Sequence, residues 1–316
     1  MLGFINALPG AVSQGLIWGI MAIGVYITYK VLDMADLTVD GSFCTGGAVF
    51  VVLLTKGVNL WLALLLAFVA GMAAGLVTGV LHTACGIPAI LAGILTQLGL
   101  YSINLAIMSM KATVAINVTK PENLERLLVS LRFVQDVANG TRPFYRHPIF
   151  TIGLATILLI ALLYWFFGTE LGSSLRATGS NGNMARAQGI NTNLCKVLGL
   201  MLSNGLVATS GALLSQYSSA AEINMGRGAI VIGLAAVIIG DVLFSKVFRN
   251  FALKLLSVSI GAIIYYIVIQ AVLAMGLNAN YLKLLSAAVV AVFLSIPYWK
   301  SRYFAKPVKH GGKAHA

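Results

Sequence analysis

Runs of apolar residues long enough to cross a bilayer, parted by short polar stretches, recur along almost the whole chain. A crossing needs about 20 mainly apolar residues for a ~30 Å hydrocarbon core. Nine segments qualify: roughly 11–29, 37–55, 58–82, 87–110, 148–168, 195–217, 228–244, 252–276 and 281–299. The runs are continuous rather than alternating, which argues against a closed barrel. The pattern predicts an all-α polytopic membrane protein with about eight to ten transmembrane helices, residues 1–316 forming one membrane domain. Residues 111–147 make the longest loop, and 175–194 the most polar break between spans.

That polar break is too rich in glycine and polar residues to enter lipid, and its spacing predicts a short exposed helix. Ser180 or Asn181 can accept orphan N–H groups at its start. Gly189 can adopt the left-handed conformation that ends it, with Ile190 following, and Asn191, Thr192 or Asn193 can cap the next span. In the loop 111–147, residues 121–133 read as a helix, with proline first, acids early and arginines late. Such a helix is a lid on the membrane surface or a docking face for an external partner.

Two segments share a design. A polar, glycine-bearing stretch from Asp36 leads into the apolar run to Phe50, and another from Glu222 leads into the run to Ala236. Five spans separate their starts, so the copies would run in opposite directions, as in inverted repeats with helices broken at the membrane midplane. Asp40, Ser42, Glu222, Asn224 and Arg227 sit at these breaks and are candidates for lining a translocation pathway, with Asn104 and Gln216. The plainer reading is two surface turns with Asp40 and Asn224 as helix caps. Gly71, Gly75 and Gly79 fall on one helical face and predict close helix packing.

Composition adds sign and side. Hydrophobic residues make up 59% of the chain and charged residues 9%, against roughly 25% in a soluble domain. The net charge of +12 is scattered along loops rather than clustered beside aromatics, which sets nucleic acid aside as a partner. The basic tail 300–316, the loop with Lys246, Arg249 and Lys254, and the polar break, an elbow between spans with Arg176, Arg186 and Lys196, are acid-poor and can share one side. The positive-inside rule makes that side cytosolic, with the C-terminus there and the N-terminus external. The six Lys or Arg of the loop 111–147 then lie outside.

Candidate chemistry is sparse. The sequence holds no Gly-x-x-x-x-Gly-Lys-Ser/Thr loop, no Gly-x-Ser-x-Gly elbow and no His-Glu-x-x-His. Asp33, Asp36 and Asp40 lack the terminal acid of a calcium loop, and Cys44, Cys85 and Cys195 have no metal or disulfide spacing. No metal, cofactor or enzymatic activity is expected.

The stretch Arg176-Ala-Thr-Gly-Ser-Asn-Gly-Asn-Met-Ala-Arg-Ala-Gln-Gly-Ile-Asn191 resembles the coupling loop of the branched-chain amino acid and ribose permease family of ABC importers. The resemblance continues through Leu198-Gly-Leu, Ser203-Asn204, Ser210-Gly-Ala-Leu-Leu-Ser-Gln-Tyr217 and Val231-Ile-Gly-Leu-Ala-Ala-Val-Ile-Ile-Gly240. Near the N-terminus, Val31-Leu-Asp-Met-Ala-Asp-Leu-Thr-Val-Asp-Gly-Ser-Phe43 is similar to a subgroup of uncharacterised substrate, some members linked to aromatic amino acids. The resemblance implies a multi-pass subunit of a bacterial inner membrane that carries a small solute such as an amino acid. It would work with a second permease copy, cytosolic ABC ATPase subunits and an external substrate-binding protein. Arg176, Asn181, Met184, Ala185, Arg186, Gly189, Ile190 and Asn191 would then form the coupling surface for the ATPase. Two other readings compete: an ion-coupled secondary transporter using Asp40, Glu222 and the broken helices, and a membrane receptor or scaffold.

Overall fold

The computed structural model describes residues 2–117, 124, 127–138, 147–244, 247–248, 250–275, 284, 287–293 and 295. Helix α1, Leu2–Tyr26, continues into a π-helical turn, Ile27–Val31. There follow α2 (Val39–Thr55), α3 (Leu60–Thr83) and α4 (Ala89–Ile107). A short strand β1 (Thr113–Ala115) and a surface helix α5 (Leu131–Ala138) precede α6 (Pro148–Gly168). The elbow comprises α7 (Glu170–Ser180) and α8 (Gly182–Ala187). Beyond it lie α9 (Thr192–Ser218), strand β2 (Ala220–Glu222), α10 (Ala229–Phe244) and α11 (Phe251–Ala274).

Local chemistry sets the helix starts. The Asn59 side chain accepts the Trp61 N–H and opens α3. His147 accepts the Ile149 N–H through Nδ1 and precedes Pro148, whose missing N–H costs nothing in a first turn. Thr169 ends α6 with its N–H and caps α7 with its hydroxyl, so the chain turns on one residue.

Helices α1 and α9 form the centre; α9 packs against α2 and α3, and α1 against α11, α10 and α6. The α3–α9 seam is close because Gly71, Gly75 and Gly79 lie directly on the backbone or side chains of Asn204, Leu200 and Val197. A β-carbon at Gly71 or Gly75 would strike a main-chain carbonyl. By contrast α3, α4 and α6 turn Leu, Ile and Val outward; Leu65, Leu95 and Leu158 are all more than half exposed. Leucine-covered surface of that extent belongs in lipid or against another subunit.

Among the described residues six helices are long and apolar enough to cross a membrane, α1, α3, α4, α6, α9 and α11. The expected spans 37–55 and 228–244 are helices too, but of 17 and 16 residues, below the ~20 that a full crossing takes. Of the expected span 281–299, residues 287–293 are helical, and the basic tail lies outside the described residues. The expected helix 121–133 is corrected in part: residues 127–130 are not helical, α5 starts at Leu131, and most of the rest is outside the described residues. One feature had no sequence signal. Strands β1 and β2 pair antiparallel, Thr113 opposite Glu222, tying the loop after α4 to the segment before α10.

Candidate functional site

The chain between the π-helical turn and α2 folds inward instead of crossing. Asp36 is buried there at 3% exposure, and its partners show how deep it lies. Asn204, midway along α9, donates through Nδ2 to Asp36 Oδ2 at 2.7 Å and to the Leu200 carbonyl at 3.0 Å. Ser42 donates to Asn204 Oδ1 at 2.6 Å, and the Thr38 N–H reaches Asp36 Oδ1 at 2.9 Å. A hydroxyl chain runs on from Thr38 to Thr78 (2.7 Å) and from Thr78 to Thr96 (2.9 Å). The groups of this chain persist in the interior because each finds a partner; left alone, each would carry a desolvation cost of about 1–3 kcal/mol.

Helix α10 begins at the same place from the opposite direction. Asp40, in the first turn of α2, accepts the Gly228 N–H at 2.9 Å through Oδ2 and the Ile230 N–H at 3.0 Å through Oδ1. A carboxylate of one short helix therefore caps the start of the other, where the positive ends of two helix dipoles would otherwise face each other. Gly226 lies against the Asp40 carbonyl, too close for a β-carbon.

Beside this junction is a cavity of about 200 Å3, lined by Asp40, Gly41, Cys44, Gln97, Tyr101, Asn104 and Arg227 among others. Asn104 is buried and donates weakly to the Gly41 carbonyl at 3.4 Å. Its Oδ1 makes no hydrogen bond of good geometry; the nearby Cys44 thiol donates instead to the carbonyls of Ile223 (3.3 Å) and Glu222 (3.6 Å). The cavity reaches the outer face of α4, where Leu98 and Tyr101 are exposed.

At one end of the bundle the elbow closes with paired caps. Asn181 Oδ1 accepts the Met184 N–H at 3.0 Å and starts α8. Gly189 has φ +81°; its N–H returns to the Arg186 carbonyl (2.9 Å) and the Ile190 N–H to the Ala185 carbonyl (3.0 Å), which ends the helix with two of its last carbonyls satisfied. Asn191 then caps α9 through the Leu194 N–H at 3.2 Å. Met184 and Arg186 are exposed, Ala185 is buried, and Arg186 Nε donates to the Thr192 hydroxyl at 2.8 Å. The expected loop 175–194 thus begins inside α7, whose Leu175 is fully buried and whose Arg176 lies 5.8 Å over the Phe251 ring.

Residues 8–294 match the family described as the permease component of the branched-chain amino acid transport system. The chain belongs to that family. The permease is 37% identical to a tyrosine transport system permease protein of Clostridioides difficile, over 92% of this chain and 91% of that one. It is 34% identical to an uncharacterised protein of Rickettsia prowazekii, over 92% and 97%. An autoinducer 2 import system permease of Salmonella paratyphi B is 24% identical over 75% of this chain and 64% of its own. Among solved structures, PsaBC from Streptococcus pneumoniae in complex with Fab superposes with a TM-score of 0.53 at 17% identity, covering 95% of the permease and 99% of that chain, a likeness of fold alone.

The structure brings some expected pathway residues together and keeps others apart. Asp40, Asn104 and Arg227 line the one cavity. Ser42 turns the other way, onto Asn204. Glu222 and Asn224 are exposed, Glu222 on β2 and Asn224 in the turn that follows. Gln216 is buried at the far end of α9, where Oε1 accepts the Leu128 N–H at 3.2 Å. Asp36 and Asn204 stood in sequence motifs but not among the expected pathway residues, and Gln97 and Tyr101 were not singled out at all. Asn204 carried a usable signal, since an amide inside an apolar run must find a partner; Gln97 and Tyr101 carried none.

Proposed function

We propose that this permease imports an amino acid with an aromatic side chain, as one of two identical copies, with the elbow seated on a separate ATPase subunit. The observation that carries the substrate class is the 37% identity over 92% of the chain to a tyrosine transport system permease. The elbow's capped, exposed helix suits a rigid lever, and its exposed Met184 and Arg186 suit a docking surface. Lys30, Arg176, Lys196 and Lys254 cluster at the elbow end, which supports a cytosolic assignment for that end. The cavity at Asp40, Asn104 and Arg227 reaches the α4 face, so a second copy against that face would enclose a route between them. Both Asp40 oxygens are held by backbone N–H groups, which favours a gating junction over an ion site.

Proteoliposomes test this. With ATPase, ATP and an external binding protein present, labelled tyrosine should accumulate; with permease alone and a sodium or proton gradient it should not. Uptake by the permease alone, driven by the gradient, would replace this reading with a secondary transporter.

A further inference from the structure

At the elbow end a groove of about 1100 Å3 runs between the π-helical turn after α1, the end of α6, α7 and the start of α11. The proposed route does not use it. Lys30, Arg176 and Lys254 line it, with Asp33 the one acid among its lining residues. Lys30 Nζ lies 2.9 Å from Asp241, outside the groove, and Arg176 leans on Phe251. Lys254 is exposed, with no ion pair among the described residues. Asn250, at the start of α11, makes no side-chain cap, so that helix end adds partial positive charge to the same wall.

The rim is aromatic. Tyr29, Tyr164 and Trp165 border the groove, and Trp165 is 72% exposed. Trp165 also ends a stripe of exposed apolar residues on α6, Leu154, Ile157, Leu158 and Leu162. An apolar track rising to Trp and Tyr, with cations just beyond, is the order of a lipid tail, its interface and its headgroup. We infer that the groove binds the phosphate headgroup of an anionic phospholipid whose acyl chains lie along α6. A free phosphate would leave the track uncovered, and a soluble acidic partner could not lie along it. Through Arg176 the headgroup braces α7, the helix that carries the elbow. The inference rests on α6 facing lipid, not on the substrate assignment.

Native mass spectrometry of the full-length permease in detergent, titrated with phosphatidylglycerol or phosphatidylcholine, reads the site. Phosphatidylglycerol should be retained preferentially. Lys254→Gln and Arg176→Gln should each weaken that retention by about fivefold, Lys254→Arg should restore it, and Lys196→Gln, a cation outside the groove, should not change it. Equal retention of the two lipids, or equal loss in Lys196→Gln, overturns the site. Displacement by soluble glycerophosphate at similar concentration assigns it to free phosphate instead. Loss of the preference once ATPase subunits are bound assigns the groove to the motor.

Discussion

Single side chains decide whether the two short helices can start where they do. Asp40 satisfies two α10 N–H groups with its two oxygens; Asp40→Asn leaves one acceptor for two donors, and Asp40→Ala leaves none. We expect Asp40→Ala to cost about 2 kcal/mol, read as a lowered thermal midpoint in detergent. Asp40→Asn should lower transport turnover more than apparent affinity; tight tyrosine binding to the isolated permease that this change abolishes would point to an ion-coupled carrier. Asn204 joins three partners, so Asn204→Leu removes the donor to Asp36 Oδ2 and the acceptor of Ser42, leaving Asp36 the Thr38 N–H, and should cost about 3 kcal/mol. His147 offers a pH dependence. Burial pushes its imidazole below the ordinary value, and only unprotonated Nδ1 can accept the Ile149 N–H. The unfolded chain takes up the proton first, near pH 6.5, so this stability is complete above that pH and is lost as pH falls towards the folded value. His147→Asn, which keeps a cap, should flatten that part of a stability–pH profile; an unchanged slope would clear His147 of the effect.

Helices show which glycines matter. Gly75→Val on α3 drives a side chain into the Leu200 carbonyl of α9, whereas at Gly153 on α6 the nearest atom is a Leu16 methyl at 4.0 Å. The first should cut the yield of folded protein and the second should not, as size-exclusion profiles would show. The elbow depends on Gly189, since proline cannot reach φ +81° and lacks the N–H that Arg186 accepts. Gly189→Pro and Arg186→Glu should assemble normally yet lose ATP-coupled transport. Full transport in both would remove the elbow from the coupling role.

The whole molecule is a bundle whose centre, α1 and α9, is sealed and whose outer helices remain apolar outside. If the elbow end is cytosolic, a cysteine placed at Asn183 in a cysteine-free background should label only in inside-out vesicles, and one at Lys56 only in right-side-out cells. The reverse pattern would invert the topology and place the groove on the outer leaflet.

The sequence by itself determined six of the nine expected spans, because burial in lipid demands about 20 apolar residues whatever the neighbours are; that the runs at 37–55 and 228–244 are helices too short for a full crossing was decided by the fold. The expected 148–168 and the observed Pro148–Gly168 coincide, and the remaining long helices differ by a few residues at their described ends, apart from the longer start of α1. The elbow was legible too, since Asn181, Gly189 and Asn191 act on bonds within a few residues of themselves. Tertiary structure alone decided that Asp40 caps a helix 188 residues away, that Asn204 gathers Asp36 and Ser42, and that Thr113 pairs with Glu222. Such contacts leave no periodicity in the chain, because a hydrogen bond depends on where two backbones meet and not on how far apart they lie in sequence.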